Sequence, residues 1–167
     1  MIALKKFFIG IMLLSSVTSI ILIGVYSLNL KNDSTPPTHP QILLDESEFN
    51  NAIRDEFTFI NVTLEHDLLY LEVSYSGGCA THDFSLIGTG VFMESYPVQT
   101  SIVLSHEDNN DNCESIVTET LMFDLTPLKE LYTESYLESS GTIIIYLLGY
   151  AKLSHLYGWE NLISYEF

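Results

Sequence analysis

Four residues have the types and spacing to do chemistry. Cys79 and His82 lie three apart in Ser76-Gly77-Gly78-Cys79-Ala80-Thr81-His82, and His106 and Cys113 bracket the acidic, Asn-rich run between them. Both cysteines and two of the five histidines therefore fall within residues 79–113. Three chemistries compete for them. A Cys79–Cys113 disulfide fits an exported chain and is worth about 3–4 kcal/mol for a loop of this length. A metal site using Cys79, His82, His106 and Cys113 offers two thiolates and two imidazoles, a set that suits zinc or cuprous copper. A nucleophilic Cys79 with His82 or His106 as base would use the glycine pair as oxyanion donors. The first two are mutually exclusive, because a bridged sulfur is not a thiolate.

Around this cluster the signals thin out. Asp108, Asn110, Asn112 and Glu119 match positions 1, 3, 5 and 12 of a calcium-binding loop. Position 6, where the sharp turn needs glycine, is Cys113. His39, His66 and His155 read as linker, turn and near-strand residues without a ligand role. The chain has no G-x-S-x-G, H-E-x-x-H, C-x-x-C or phosphate loop, so no catalytic residue and no enzymatic activity are expected. No cofactor is expected either, with zinc or copper as the alternative.

The elements that must hold the cluster are strands. Period-two alternation runs through Leu69–Tyr75, Val98–Leu104 and Val117–Phe123, and Thr142–Leu148 is a continuous apolar run that fits a strand covered on both faces. Thr58–Leu64, Phe84–Ile87 and Leu162–Phe167 read as further strands. Glu65-His66-Asp67, Ser76-Gly77-Gly78, Gly88-Thr89-Gly90 and Asp108–Asn112 are the turn signals. The sum is an all-β fold, an antiparallel β-sandwich or small barrel. Two short helices join it, one over Asp45–Arg54 with Asp45 or Ser47 as cap. The other starts over Pro127–Tyr132, with Thr126 as cap and Pro127 at its first position.

The N-terminus reads differently. Lys5-Lys6 precedes Phe7–Leu28, 22 residues without a charge, long enough to cross a bilayer as a helix. Residues 1–28 are expected to be a signal-anchor, with the lysines cytoplasmic and the rest exported. Residues 29–40 are a Pro-rich linker, and 41–167 the exported domain. Of the net charge of -16, +2 belongs to the first 28 residues and -18 to the remainder. So acidic a domain repels phosphate backbones, which excludes nucleic acid as a partner. The expected partner is the membrane, through the N-terminal helix. Asn32 and Asn61 begin glycosylation sequons.

Leu71–Leu86 and Phe92–Tyr132 carry the GGC-x2-H turn at Gly77–His82, the His106–Cys113 loop and the FDLTPL segment at Phe123–Leu128. Over Leu69 to Leu148 the chain resembles small exported bacterial proteins and lipoproteins of unassigned function, similar to the β-sandwich domain of NigD-like proteins. That resemblance implies an exported β-sandwich and no reaction. The chain departs from the family in having no lipobox cysteine, which leaves anchoring to the N-terminal helix. The expected function is a membrane-anchored extracytoplasmic binding or structural module, stapled by Cys79–Cys113.

Overall fold

The structure is a computed structural model that describes residues 38–149 and 162–167. The expected anchor over 7–28, Asn32 and His155 lie outside those residues. Among the described residues no helix is long and apolar enough to cross a membrane.

In chain order the elements are β1 (Leu43–Leu44), α1 (Glu46–Asn51), β2 (Thr58–Glu65), β3 (Leu68–Gly77), β4 (Asp83–Gly88), β5 (Val98–Glu107), β6 (Ser115–Asp124), α2 (Thr126–Tyr136), β7 (Thr142–Leu148) and β8 (Leu162–Glu166). They form a five-stranded sheet in the order β1-β4-β5-β7-β8 and a three-stranded sheet in the order β2-β3-β6. The alternation read from the sequence fixes their inner faces. Leu69, Leu71, Val73 and Phe123 from the smaller sheet enter one core with Leu86, Ile102, Leu104, Ile143, Ile145, Leu147 and Tyr165 from the larger.

Two expectations about the fold are corrected. The sheets do not close into a barrel, since each keeps its own edge strands. The larger sheet is also not antiparallel throughout, because β1 pairs with β4 and β5 with β7 in parallel. The β5–β7 pairing follows from the chain path. The chain leaves β5, crosses to β6 in the other sheet, returns along it and passes through α2. It then re-enters the first sheet at the end where β5 began, so β7 runs beside β5 in the same sense. A parallel neighbour requires a crossover of this kind.

Local details shift for identifiable reasons. β7 has the expected bounds, but only Ile143, Ile145 and Leu147 are buried, whereas Ile144 and Tyr146 are half-exposed. It is therefore covered on one face, not two. Helix α1 is capped as expected, with the Asp45 carboxylate accepting from the backbone N–H of Ser47 (2.8 Å) and Glu48 (3.0 Å). It stops at Asn51 because the following segment pairs with β5: His106 N–H donates to Ile53 O and Asp55 N–H to His106 O, both 3.0 Å. Helix α2 starts one residue earlier than expected. Thr126 is inside it, and Asp124 accepts from the Thr126 backbone N–H (2.8 Å) and hydroxyl (2.6 Å). It continues to Tyr136, since Leu128 and Tyr132, four apart on one face, are both buried.

Candidate functional site

The register of β3 and β6 places the cysteines. Gly77 pairs with Ser115, so Cys79, two residues beyond, faces Cys113, two residues before. Gly78 makes the turn at φ +106°, a left-handed conformation that favours glycine. The two sulfurs are bonded, with Cα atoms 5.9 Å apart, within the usual range for a bridge. Cys79 is exposed and Cys113 half-buried. With its sulfur in that bond, Cys79 offers no thiolate for nucleophilic attack, and neither cysteine offers one to a metal.

The histidines meet each other rather than the sulfurs. β5 runs on to Glu107, so His106 continues the inward series Val98, Thr100, Ile102, Leu104 and is 1% exposed. His82 precedes β4, and its side chain is also 1% exposed. Its Nδ1 lies 2.8 Å from His106 Nε2. Tyr75 stacks on His82, and Phe84 on His106, each with centroids 4.4 Å apart.

Asp111, which the sequence reading passed over, organises the corner. One carboxylate oxygen accepts from the backbone N–H of Cys79 and Ala80 (2.8 Å each), and the other from Cys113 N–H (2.9 Å). These donors, Ala80 and Cys113 foremost, hold its carboxyl well below the usual carboxylate range, so it is ionised. Its side chain is fully shielded from solvent. The contact to Cys113 is a local turn of the type Asp favours two residues ahead of itself, a signal present in Asp111-Asn112-Cys113.

The partners assign the ring protons. The Asp55 carbonyl accepts from His106 Nδ1–H at 3.2 Å. Burial pushes the His106 pKa down, so this ring is neutral and its Nε2 is an acceptor. His82 Nδ1–H must then donate to it. That leaves His82 Nε2 as the orphan: buried, 3.5 Å from Asp111 Oδ2, and without a hydrogen-bond partner among the described residues. An unpartnered ring nitrogen beside an ionised carboxylate is a place where a metal ion could be held.

The remaining candidates lie elsewhere or are already occupied. Asp108 accepts from Asn110 N–H (2.8 Å), and the Asn112 amide donates to Asn110 O (2.9 Å). Glu119 accepts from the Tyr75 hydroxyl (3.0 Å), which with burial raises the Tyr75 pKa to about 12. The residues at the calcium-loop positions are thus spent on a turn and a strand, in keeping with the failed match at Cys113. His39 and His66 border a surface depression beside the β2–β3 turn. Asn61 is exposed at an irregularity of edge strand β2, its side chain accepting from Val62 N–H.

Fold and site together define a small two-sheet β domain with a disulfide-closed end. No protein-family model matches the chain, and no curated protein matches it in sequence. Among solved structures it is similar to a NigD-like immunity protein from Bacteroides caccae, with TM-score 0.49 and 13% identity over 81% of this chain and 66% of that one. It is also similar to a protein of unknown function from Bacteroides vulgatus, with TM-score 0.43 and 10% identity over 77% of this chain and 55% of that one.

Proposed function

We propose that the protein is a non-enzymatic extracytoplasmic module, tethered through residues 1–28 and consolidated by the Cys79–Cys113 bridge. One observation carries this reading. Among the described residues, the groups of this corner that could act as nucleophile or base are tied into the fold: the sulfurs in a bond, His106 by Asp55 and His82, and Asp111 by three backbone N–H groups, with His82 Nε2 alone left over. A bridge of this kind belongs to an oxidising compartment. The uncharged run from Phe7 to Leu28 supplies the route there. The acidic surface disfavours polyanions and leaves proteins or small molecules as the partner class.

The test is made on the full chain in a bacterial host. A membrane-impermeant thiol reagent is applied to intact cells, with and without a membrane-impermeant reductant. The expected result is no labelling at first and two labelled cysteines after reduction. Two thiols labelled without reductant, or none labelled until the cells are lysed, would overturn the reading.

The metal reading with Cys79, His82, His106 and Cys113 keeps one specific support, the orphaned His82 Nε2.

A further inference from the structure

We propose that opening the Cys79–Cys113 bridge converts this end of the molecule into a site for one zinc-class ion. Its ligands are Cys79 Sγ, Cys113 Sγ, an Asp111 carboxylate oxygen and His82 Nε2. The two sulfurs and the carboxylate already converge, all within 4.8 Å of one another. Ligand atoms around tetrahedral zinc, with bonds of about 2.0–2.3 Å, sit about 3.3–3.8 Å apart, so these three need little contraction, whereas His82 Nε2 lies outside the group and must close on the sulfurs. The fourth ligand rests on a separate observation. His82 Nε2 is buried, without a hydrogen-bond partner among the described residues, and 3.5 Å from the same carboxylate.

His106 is excluded from the set, although its residue type fits. Both its nitrogens are in use, Nδ1 on the Asp55 carbonyl and Nε2 on His82 Nδ1. It is instead a positioning residue. A histidine that binds a metal through one nitrogen commonly donates its other N–H to a neighbour, which fixes the ring. His106 is that acceptor, and the Tyr75 and Phe84 rings hold the pair in place.

The switch balances with an external dithiol as reductant. One thiolate of the dithiol attacks the Sγ of Cys79, the exposed residue of the pair; the S–S bond breaks, and Cys113 leaves as a thiolate. The second thiol of the reagent attacks the mixed disulfide and releases Cys79. The dithiol ends as its own disulfide, and its two electrons reside on the two cysteines. Zinc then displaces the two thiol protons. While the bridge is closed, no thiolate exists and the site is absent.

The experiment uses detergent-solubilised full-length protein and Zn2+ alone, with a phosphine as reductant because dithiols chelate zinc. Reduced protein should bind one equivalent of Zn2+ and oxidised protein none. Co2+ in its place should show a sulfur-to-cobalt charge-transfer band. His106→Gln should keep the stoichiometry and weaken affinity about 10–100-fold, whereas His82→Gln should lose the tight site. Histidine ring 15N spectra of the unaltered protein give a readout that does not depend on a variant folding. On zinc addition the His82 Nε2 signal should move to a metal-bound position while His106 keeps both its nitrogens off the metal. Zinc uptake by the bridged protein, no uptake by the reduced one, or a His82 signal unmoved by zinc would each overturn the proposal.

Discussion

The two ends of the β domain are closed by opposite means. At one end α2 inserts Leu128 and Tyr132 beneath the sheets, joined by Leu125 and the fully buried Tyr165. Polar groups there sit at the margin of an apolar plug. The Tyr165 hydroxyl donates to Asp67 at 2.6 Å, and Lys129 reaches the same carboxylate at 3.2 Å. At the other end polar groups are the closure itself: a bridge, two stacked imidazoles and a carboxylate gripping three backbone donors. Apolar closure depends mainly on volume, with the depressed Asp124 carboxyl at the start of α2 its pH-sensitive margin. Polar closure depends on protons and electrons, so the same fold has one inert end and one responsive end.

The largest effect should come from the inert end. Leu128→Ala leaves a cavity under α2 and should cost about 2–5 kcal/mol, read as a lower urea midpoint with an unchanged slope. A change confined to the slope would mean that α2 is not part of the cooperative unit. Next is the bridge. Replacing Cys79 and Cys113 together by serine should cost about 3 kcal/mol. Reduced unaltered protein should have the same midpoint in the absence of metal; a clear mismatch would mean that the serines do more than open the loop.

Gly77→Ala probes the responsive end sterically. A Cβ at this position would lie 2.6 Å from His82 Nε2, so the ring must move, at about 1–3 kcal/mol. The His82 ring signals should shift while those of Tyr165 stay in place. Acidification probes the same end chemically. His106 is held neutral below its ordinary value of about 6.5, so the unfolded chain binds the proton first as pH falls. Its contribution is complete above about pH 6.5 and erodes below it. Asp111 is likewise depressed, as is Asp124 at the other end, and their contribution erodes from about pH 4 downward. Both slopes therefore destabilise towards acid, in two stages. His106→Gln should remove the first stage and leave the second; a single stage in the unaltered protein would remove His106 from the argument. The smallest effect, about 1 kcal/mol, is expected for the cap variant Asp45→Ala, read as a small shift of the urea midpoint at pH 7.

The sequence made the strands legible because period two is a local pattern. It also contained the inward position of His106, since the series from Val98 runs through it once β5 is extended to Glu107. What it withheld is non-local. The parallel partner of β7 depends on the route through β6 and α2, and no window of residues around β7 encodes it. The stop of α1 is set by Ile53 and Asp55 pairing with His106, half a hundred positions away. The site was half legible for the same reason. Residue types identified Cys79, His82, His106 and Cys113, but only the register and the Asp55 carbonyl show that His106 is committed and that Asp111 joins the corner.

The bridge has one more consequence, in mechanics. Cys79 and Cys113 sit where the chain leaves the smaller sheet and where it returns, so everything between them, including the β4–β5 hairpin, is an excursion off the main line. If the molecule is pulled by its two termini, tension passes through the S–S bond and bypasses that excursion. The 34 residue steps between the cysteines would hide about 110–120 Å of contour length, at ~3.3–3.6 Å per residue. That length appears only after reduction, so a single-molecule force trace would report the redox state of the domain as a difference in extension.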